Sequence, residues 1–304
     1  MSGVCEGRVV IVTGSGRGIG RAHALEFARQ GASVVVNDLG AEVDGSGATT
    51  GPAGEVVEEI RAMGGKAVGN GDDVSDWEGA QNLINAAIES FGRLDVVVNN
   101  AGILRDRMLI NMTDAEWDSV IRVHLRSTFA MTRWAATYWR EQAKAGEAVD
   151  ARVINTSSSS GIYGNVGQSN YGAAKAGIAS FTVIAAQELG RYGVTVNAIA
   201  PVALTRMTEN LGVFSHPDDP AAFDPYAPEN ISPLVVWLGS SESAAITGRV
   251  FDVYGGHIDV AEGWHAGPGV DITDRWSVES LGKIIPDLVS KAKKNADMSG
   301  RIPD

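Results

Sequence analysis

Arg8-Val9-Val10-Ile11-Val12-Thr13-Gly14-Ser15-Gly16-Arg17-Gly18-Ile19-Gly20 is the stretch that decides the fold. Its first half is a short β-branched run of the kind that forms a strand buried on both faces. From about Gly18 to Gln30 the pattern is helical and stops at Gly31. The intervening glycines let the backbone come close to a ligand at the positive end of the helix, an arrangement suited to a pyrophosphate. The spacing is Gly-x-x-x-Gly-x-Gly rather than the commoner G-x-G-x-x-G. Gly14, Arg17, Gly18, Ile19 and Gly20 are therefore candidate cofactor contacts.

Working outward, Ser33–Asn37 reads as a second strand, followed by a glycine-rich loop from Leu39 to Gly54 and a helix from Gly54 to Met63. Lys66-Ala67-Val68 begins a third strand, and Ser75-Asp76-Trp77-Glu78 has capping-box spacing for the next helix. Leu94–Val98 is strand four. Thr113-Asp114-Ala115-Glu116 opens a long helix running to about Lys144, which carries Trp117, Trp134 and Trp139 as packing residues. Arg152–Thr156, Val194–Ile199 and Val250–Val253 complete the strands, with a helix from Tyr171 to Gly190 between the first two. Repeated β-α-β units with apolar strands predict an α/β fold: a Rossmann-type, doubly wound parallel sheet of about seven strands with helices on both faces. Residues 1–254 form the dinucleotide-binding domain. Residues 255–304 form a tail extending that same domain, with a polar helix from Val278 to Lys294.

Composition limits the functions available. The 304 residues are 44% hydrophobic and 20% charged, enough for a large core. Net charge is −12 and the pI is near 4.9. No Lys/Arg block stands out, so neither nucleic acid nor an anionic membrane is an expected partner. The lone cysteine, Cys5, suits a reducing compartment. The N-terminus has no signal-peptide pattern, the final RIPD is not a peroxisomal address, and no apolar run reaches the roughly 18 residues of a membrane span. The expectation is a cytoplasmic protein acting on a small molecule.

Four groups of residues carry chemistry. Asp38 ends strand two, where a carboxylate can accept both hydroxyls of an adenosine ribose. It would repel a 2′-phosphate by about 4 kcal/mol at 4 Å and an effective dielectric of 20. That is on the order of a thousandfold in affinity, favouring NAD over NADP, although Arg17 could host the phosphate. Asn99-Asn100-Ala101-Gly102 follows strand four, and Asp73-Val74 follows strand three on the same sheet edge, where Asp73 and Val74 could meet the adenine. The sharpest group is Ser158, Tyr171 and Lys175. Tyr171 and Lys175 are four apart and share a helix face. A tyrosine acting as base near neutrality must lose about three units from its usual pKa of about 10. A lysine ammonium and an oxidised nicotinamide can supply that, and the serine hydroxyl can hold the reacting oxygen. The five histidines show no metal-ligand spacing, and no G-x-S-x-G elbow surrounds Ser158.

In order and spacing these motifs, together with Asn197-Ala198-Ile199-Ala200-Pro201, resemble the short-chain dehydrogenase/reductase family over about residues 7–253. The resemblance implies that Tyr171 is the acid/base and that Lys175 tunes it and holds the nicotinamide ribose. It implies that Ser158 orients the substrate oxygen, and that His124 acts through its backbone carbonyl, where the family usually has asparagine. Asn100, Ala101 and Gly102 would line the cofactor. Pro201 and Val202 stand where the family has Pro-Gly, and Thr205 is the candidate carboxamide contact. Val36–Gly40, Gly102–Arg107, Val123–Arg126 and Ser160–Asn165 are closer still to the dehydrogenase unit of peroxisomal multifunctional enzymes type 2. That likeness implies NAD-dependent oxidation of a 3-hydroxyacyl-CoA, with hydroxysteroids or other bulky alcohols as the within-family alternative. Tyr163 joins Ser158 and Tyr171 as a substrate contact, and Arg105 and Arg107 could attract CoA phosphates unless they pair with nearby acids. A non-catalytic dinucleotide sensor is the rival outside enzymology, though it would not need the serine-tyrosine-lysine trio. A homo-oligomer, tetramer or dimer, is expected, because the helices from Thr113 and Tyr171 carry apolar residues beyond one core face, among them Val120, Thr128, Met131, Ile178, Ile184 and Ala185.

Overall fold

The computed structural model describes residues 3–40, 51–205, 215–217, 219 and 222–303. Most of the expected loop from Leu39 to Gly54 therefore lies outside the described residues. The strands are β1 (Val9–Thr13), β2 (Ser33–Asn37), β3 (Lys66–Asn70), β4 (Val96–Asn99), β5 (Ala151–Thr156), β6 (Val194–Pro201), β7 (Val250–Tyr254) and β8 (His257–Ala261). They form one sheet in the order β3-β2-β1-β4-β5-β6-β7-β8, parallel throughout except for the antiparallel β7–β8 pair. The chain runs outward from β1 to β3 and then returns past β1 to β4. The reversal opens a crevice at the carboxyl ends of β1 and β4, the standard ligand position in such sheets.

Alternation along the strands supplies the two cores. Val10 and Val12 of β1 and Val34 and Val36 of β2 pack with Phe27 of α1 (Gly18–Arg29), Ile60 of α2 (Gly51–Ala62) and Leu238 of α8 (Ser232–Gly239). The opposite residues Val9, Ile11 and Val35 pack with Leu83 of α3 (Trp77–Phe91), with Met131 and Trp139 of α5 (Ser127–Lys144), and with Ala185 of α7 (Ser169–Leu189). Trp139 is buried and donates its indole N–H to the Leu94 carbonyl at 2.7 Å.

Several elements differ from expectation. The sheet has eight described strands rather than seven. β8 is an edge strand exposed on both faces, so it lacks the apolar pattern that marks a buried strand. α3 is capped by Asp76, which accepts from the N–H groups of Glu78 and Gly79 at 3.0 Å. Ser75 is not its cap, because its N–H and hydroxyl are both taken by Asp73. The Thr113–Glu116 capping box forms in full at the start of α4 (Asp114–Ile121). The long helix beyond it is interrupted by a π-helical turn, Arg122–Arg126, before α5. Of the tryptophans, Trp117 is more than a third exposed, whereas Trp134 caps its ring against Trp77 and Arg133.

The apolar surplus on α5 and α7 is also redistributed. Thr128, Met131, Ile178 and Ala185, with Val120 of α4, are buried within the chain, and the exposed large apolar side chains are Phe129, Val183 and Ile184, with Trp117 of α4. α9 (Val278–Lys291) forms within the predicted tail helix and buries none of its residues. Among the described residues, no helix is long and apolar enough to cross a membrane.

Candidate active site

The glycine turn between β1 and α1 is shaped by backbone packing. A Cβ on Gly14 would come 2.7 Å from the Ala101 Cα, and one on Gly20 would overlap the Gly14 carbonyl and the Asn100 amide. Gly14 and Gly18 also sit at φ +61° and +53°, where side chains are strained. Asn100 braces the turn, its Nδ2 donating to the carbonyls of Thr13 and Gly14 at 3.0 Å. The Thr13 hydroxyl accepts the Asn100 and Ala101 N–H groups. Asn100 thus acts on the loop's shape rather than lying free on the cleft floor.

Asp38 lies beside this turn. Its carboxylate accepts from the N–H of Gly16 at 2.8 Å and of Gly40 at 2.7 Å. A Cβ on Gly16 would press 2.8 Å from Oδ2. Arg17 is exposed at the mouth of the turn, in extended conformation just before α1. Thr205 faces Gly18, with Cγ2 3.4 Å from where a Cβ would stand. Asp73 lines the same cleft but is engaged, with Ser75 on one oxygen and Arg122 at 2.8 Å on the other. Val74 is buried beside it, Ile19 lines the cleft, and Pro201 ends β6 with Val202 donating to the Val253 carbonyl. These features fit a dinucleotide: a tight backbone cradle at a helix N-terminus, with a carboxylate one strand over.

Ser158, Tyr171 and Lys175 converge past the end of β5. Lys175 is buried and donates to the Thr156 carbonyl at 2.6 Å, with its ammonium 5.4 Å from the Tyr171 ring centre. The hydroxyl of Ser158 also caps the short helix α6 (Ser159–Ile162). Burial pushes the Tyr171 phenol up to about 12. Its hydrogen bond with Ser158 pulls it down, and the Asp106 carboxylate adds to the rise. Burial pulls the Lys175 ammonium down to about 7. The expected lowering of the tyrosine by its lysine neighbour is therefore absent among the protein's own groups. Desolvation outweighs the attraction and drives both side chains toward their neutral forms.

His124 enters through the π-helical turn. Its carbonyl accepts the Ser127 hydroxyl at 3.2 Å, and its ring, rather than its backbone alone, is part of the site. The imidazole lies edge-on to Tyr171 at 5.1 Å, with Nε2 2.8 Å from the Ile103 carbonyl. Burial pulls its pKa down to about 3, so it is neutral. Gly102 exists in this register because a Cβ there would strike the His124 ring. Tyr163, expected at the substrate, spends its hydroxyl on Asp252 of β7 at 2.5 Å. Arg107 pairs with Glu116 at 3.2 Å, which removes it as a ready partner for CoA phosphates.

Sequence reasoning missed Thr156, Gln168, Asp252, Tyr254, Met298 and Ser299, all of which line the same cleft of about 810 Å³. None has a local spacing signal. Gln168 links Ser160 to Asp106 at 2.7 and 2.8 Å across 62 residues. Among the described residues, no group of three or more His, Cys, Asp or Glu is placed to hold a metal ion.

The short chain dehydrogenase family model matches residues 8–213. The chain belongs to this family and is an oxidoreductase acting on CH–OH groups. It is 47% identical over 265 residues to a hydroxyacyl-CoA dehydrogenase of Mycobacterium tuberculosis, a match covering 85% of this chain and 81% of the relative. It is 47% identical over 253 residues to the peroxisomal multifunctional enzyme type 2 of Mus musculus, covering 83% of this chain but 32% of that longer protein. A solved short chain dehydrogenase from Mycobacterium avium shares 58% identity with a TM-score of 0.88, over 96% of this chain and 98% of that one.

Proposed function

We propose that the protein oxidises the hydroxyl of a 3-hydroxyacyl-CoA to the ketone, with NAD as hydride acceptor. The observation that carries the reading is the convergence of Ser158, Tyr171, Lys175 and His124 at one end of a cleft whose other end holds the glycine cradle and Asp38. Ser158 holds the substrate oxygen and Tyr171 takes its proton. Lys175, fixed on the Thr156 carbonyl, stands beside the phenol to stabilise the phenolate. The neutral His124 ring keeps Tyr171 in place without adding charge. When bound, NAD supplies the hydride acceptor and a positive ring that favours the phenolate. NAD is favoured over NADP by the Asp38 carboxylate.

The acyl-CoA preference is supported by the hydroxyacyl-CoA relatives. Residues 255–304 are proposed to serve this same domain, since β8 extends its sheet and Met298 and Ser299 reach the cleft. A dimer or tetramer is proposed to cover Phe129, Val183 and Ile184, and a cytoplasmic setting suits the lone, buried Cys5. The test compares kcat/KM, read as NADH absorbance, for a 3-hydroxyacyl-CoA, its CoA-free acid and a 17β-hydroxysteroid. A thioester advantage is expected. A steroid that wins, or no loss on removing CoA, overturns the thioester reading and leaves the secondary-alcohol oxidation. Light scattering at micromolar protein tests the assembly, and a monomer mass refutes it.

A further inference from the structure

We propose that the turn Asp297–Arg301, near the end of the tail, is the specificity-determining wall of the substrate end of the cleft, with Met298 setting the bulk admitted. The inference rests on the reading above that an alcohol substrate occupies this cleft. Strand order places the wall. Asp38 and Asp73 follow β2 and β3, and the reacting groups follow β5, so the cleft that reaches β7 and β8 extends away from the dinucleotide cradle. Met298 and Ser299 line it there, beside Tyr163 and Asp252.

The turn is built rather than draped. The Asp297 carboxylate accepts from the Ser299 N–H at 2.8 Å, the Ser299 hydroxyl at 2.6 Å and the Arg301 N–H at 3.1 Å. Its backbone N–H and carbonyl close the turn on Arg301 and Gly300 at 2.8 and 2.9 Å. Gly300, at φ +76°, packs against Tyr163 so closely that a Cβ would stand 2.9 Å from the phenol oxygen. Tyr163 is anchored in turn by Asp252, whose carboxyl is raised first by burial and whose Oδ1 is buried without a partner among the described residues. The chain of contacts β7–Tyr163–Gly300 holds Met298 at the rim as a flexible, apolar gauge, the kind of side chain that adapts to an acyl group.

The test uses the full-length protein as wild type, Met298→Ala, Met298→Trp and Asp297→Ala. One arm reads the kcat/KM ratio of a bulky to a small alcohol within whichever class the wild type turns over. The other arm needs no turnover. Each protein also carries Ser158→Cys, and alkylation by N-ethylmaleimide is compared with alkylation by a pyrene maleimide. The native Cys5 gives little background, because it is buried and its thiol is pushed up to about 11 by that burial. Met298→Ala and Asp297→Ala are expected to raise the bulky-to-small ratio about tenfold, and Met298→Trp to lower it about tenfold, as pocket volume does in other enzymes. Thermal midpoints measured alongside separate this from unfolding. Alkylation ratios within about twofold of the parent in all three variants overturn the wall. A wild type that oxidises no alcohol sinks the proposed reaction instead, and the alkylation arm alone then decides the wall.

Discussion

The cradle at the dinucleotide end of the cleft is made mainly of backbone, and the catalytic end is made of buried side chains. At the first end Gly14, Gly16 and Gly20 leave no room for a Cβ, and Asp38 is held by two backbone N–H groups. At the second, Tyr171, Lys175 and His124 sit in surroundings dry enough to drive each toward its neutral form. The first end is a shape that excludes side chains, and its cost falls on backbone freedom. The second is an electrostatic arrangement whose cost falls on desolvation. Substitutions at the two ends should accordingly fail in different ways.

The largest expected effect is at the catalytic end. Tyr171→Phe should lower kcat by at least about a hundredfold, the lower range for a general base, while NAD affinity by titration stays close to wild type. A smaller loss in kcat removes the base role. At the cradle, Gly20→Ala should weaken NAD binding by about tenfold or more, roughly 1.4 kcal/mol, and lower the thermal midpoint. Unchanged binding would show that the cradle tolerates the atom the geometry forbids. Asp38→Ala should shift the NAD/NADP ratio of kcat/KM toward NADP by about tenfold or more, less than the full Coulomb figure because water still reaches and screens a partly buried carboxylate. A wild type equally active with both cofactors breaks the assignment.

Lys175→Met sharpens the contrast, because an expensive side chain should be costly to stability. Turnover should fall, yet the thermal midpoint at pH 6 should rise by about 3–6 °C, since a buried ammonium is replaced by an apolar chain. A drop would mean that the bond to Thr156 outweighs desolvation. A further effect is in acid. His23 and His124 both have folded pKa values pulled down to about 3 by burial, from an ordinary 6.5. Their neutral forms favour the folded state fully above pH 6.5, and that contribution is lost progressively as pH falls from 6.5 toward 3. Thermal midpoints that stay flat over that window would place both rings in contact with water.

The same contrast explains what could be read in the sequence. The cradle was legible because a shape that excludes side chains leaves glycines at fixed spacing, and Asp38 stands at a fixed strand end. Tyr171 and Lys175 were legible because one helical turn joins them. Their electrostatic state was not, since burial arises from segments far apart in the chain, such as Thr156 beneath Lys175. The π-helical turn was hidden as well, because Arg122–Arg126 continues the helical pattern on either side. At the far wall, Asp252, Met298 and Ser299 meet only because an exposed edge strand and the tail return to the sheet. The buried strands β1, β2, β4, β5 and β6 show in their apolar, β-branched runs, whereas β8 is exposed along most of its length.

Lys175 has a further consequence. With its ammonium drawn down to about 7, the site sits near half-titration at neutral pH. Any ligand that prefers one charge state there must move protons between the protein and the buffer. The heat of cofactor association should therefore depend on the ionisation enthalpy of the buffer chosen. Calorimetry in a phosphate and in an amine buffer at the same pH would count the protons exchanged as the cleft fills.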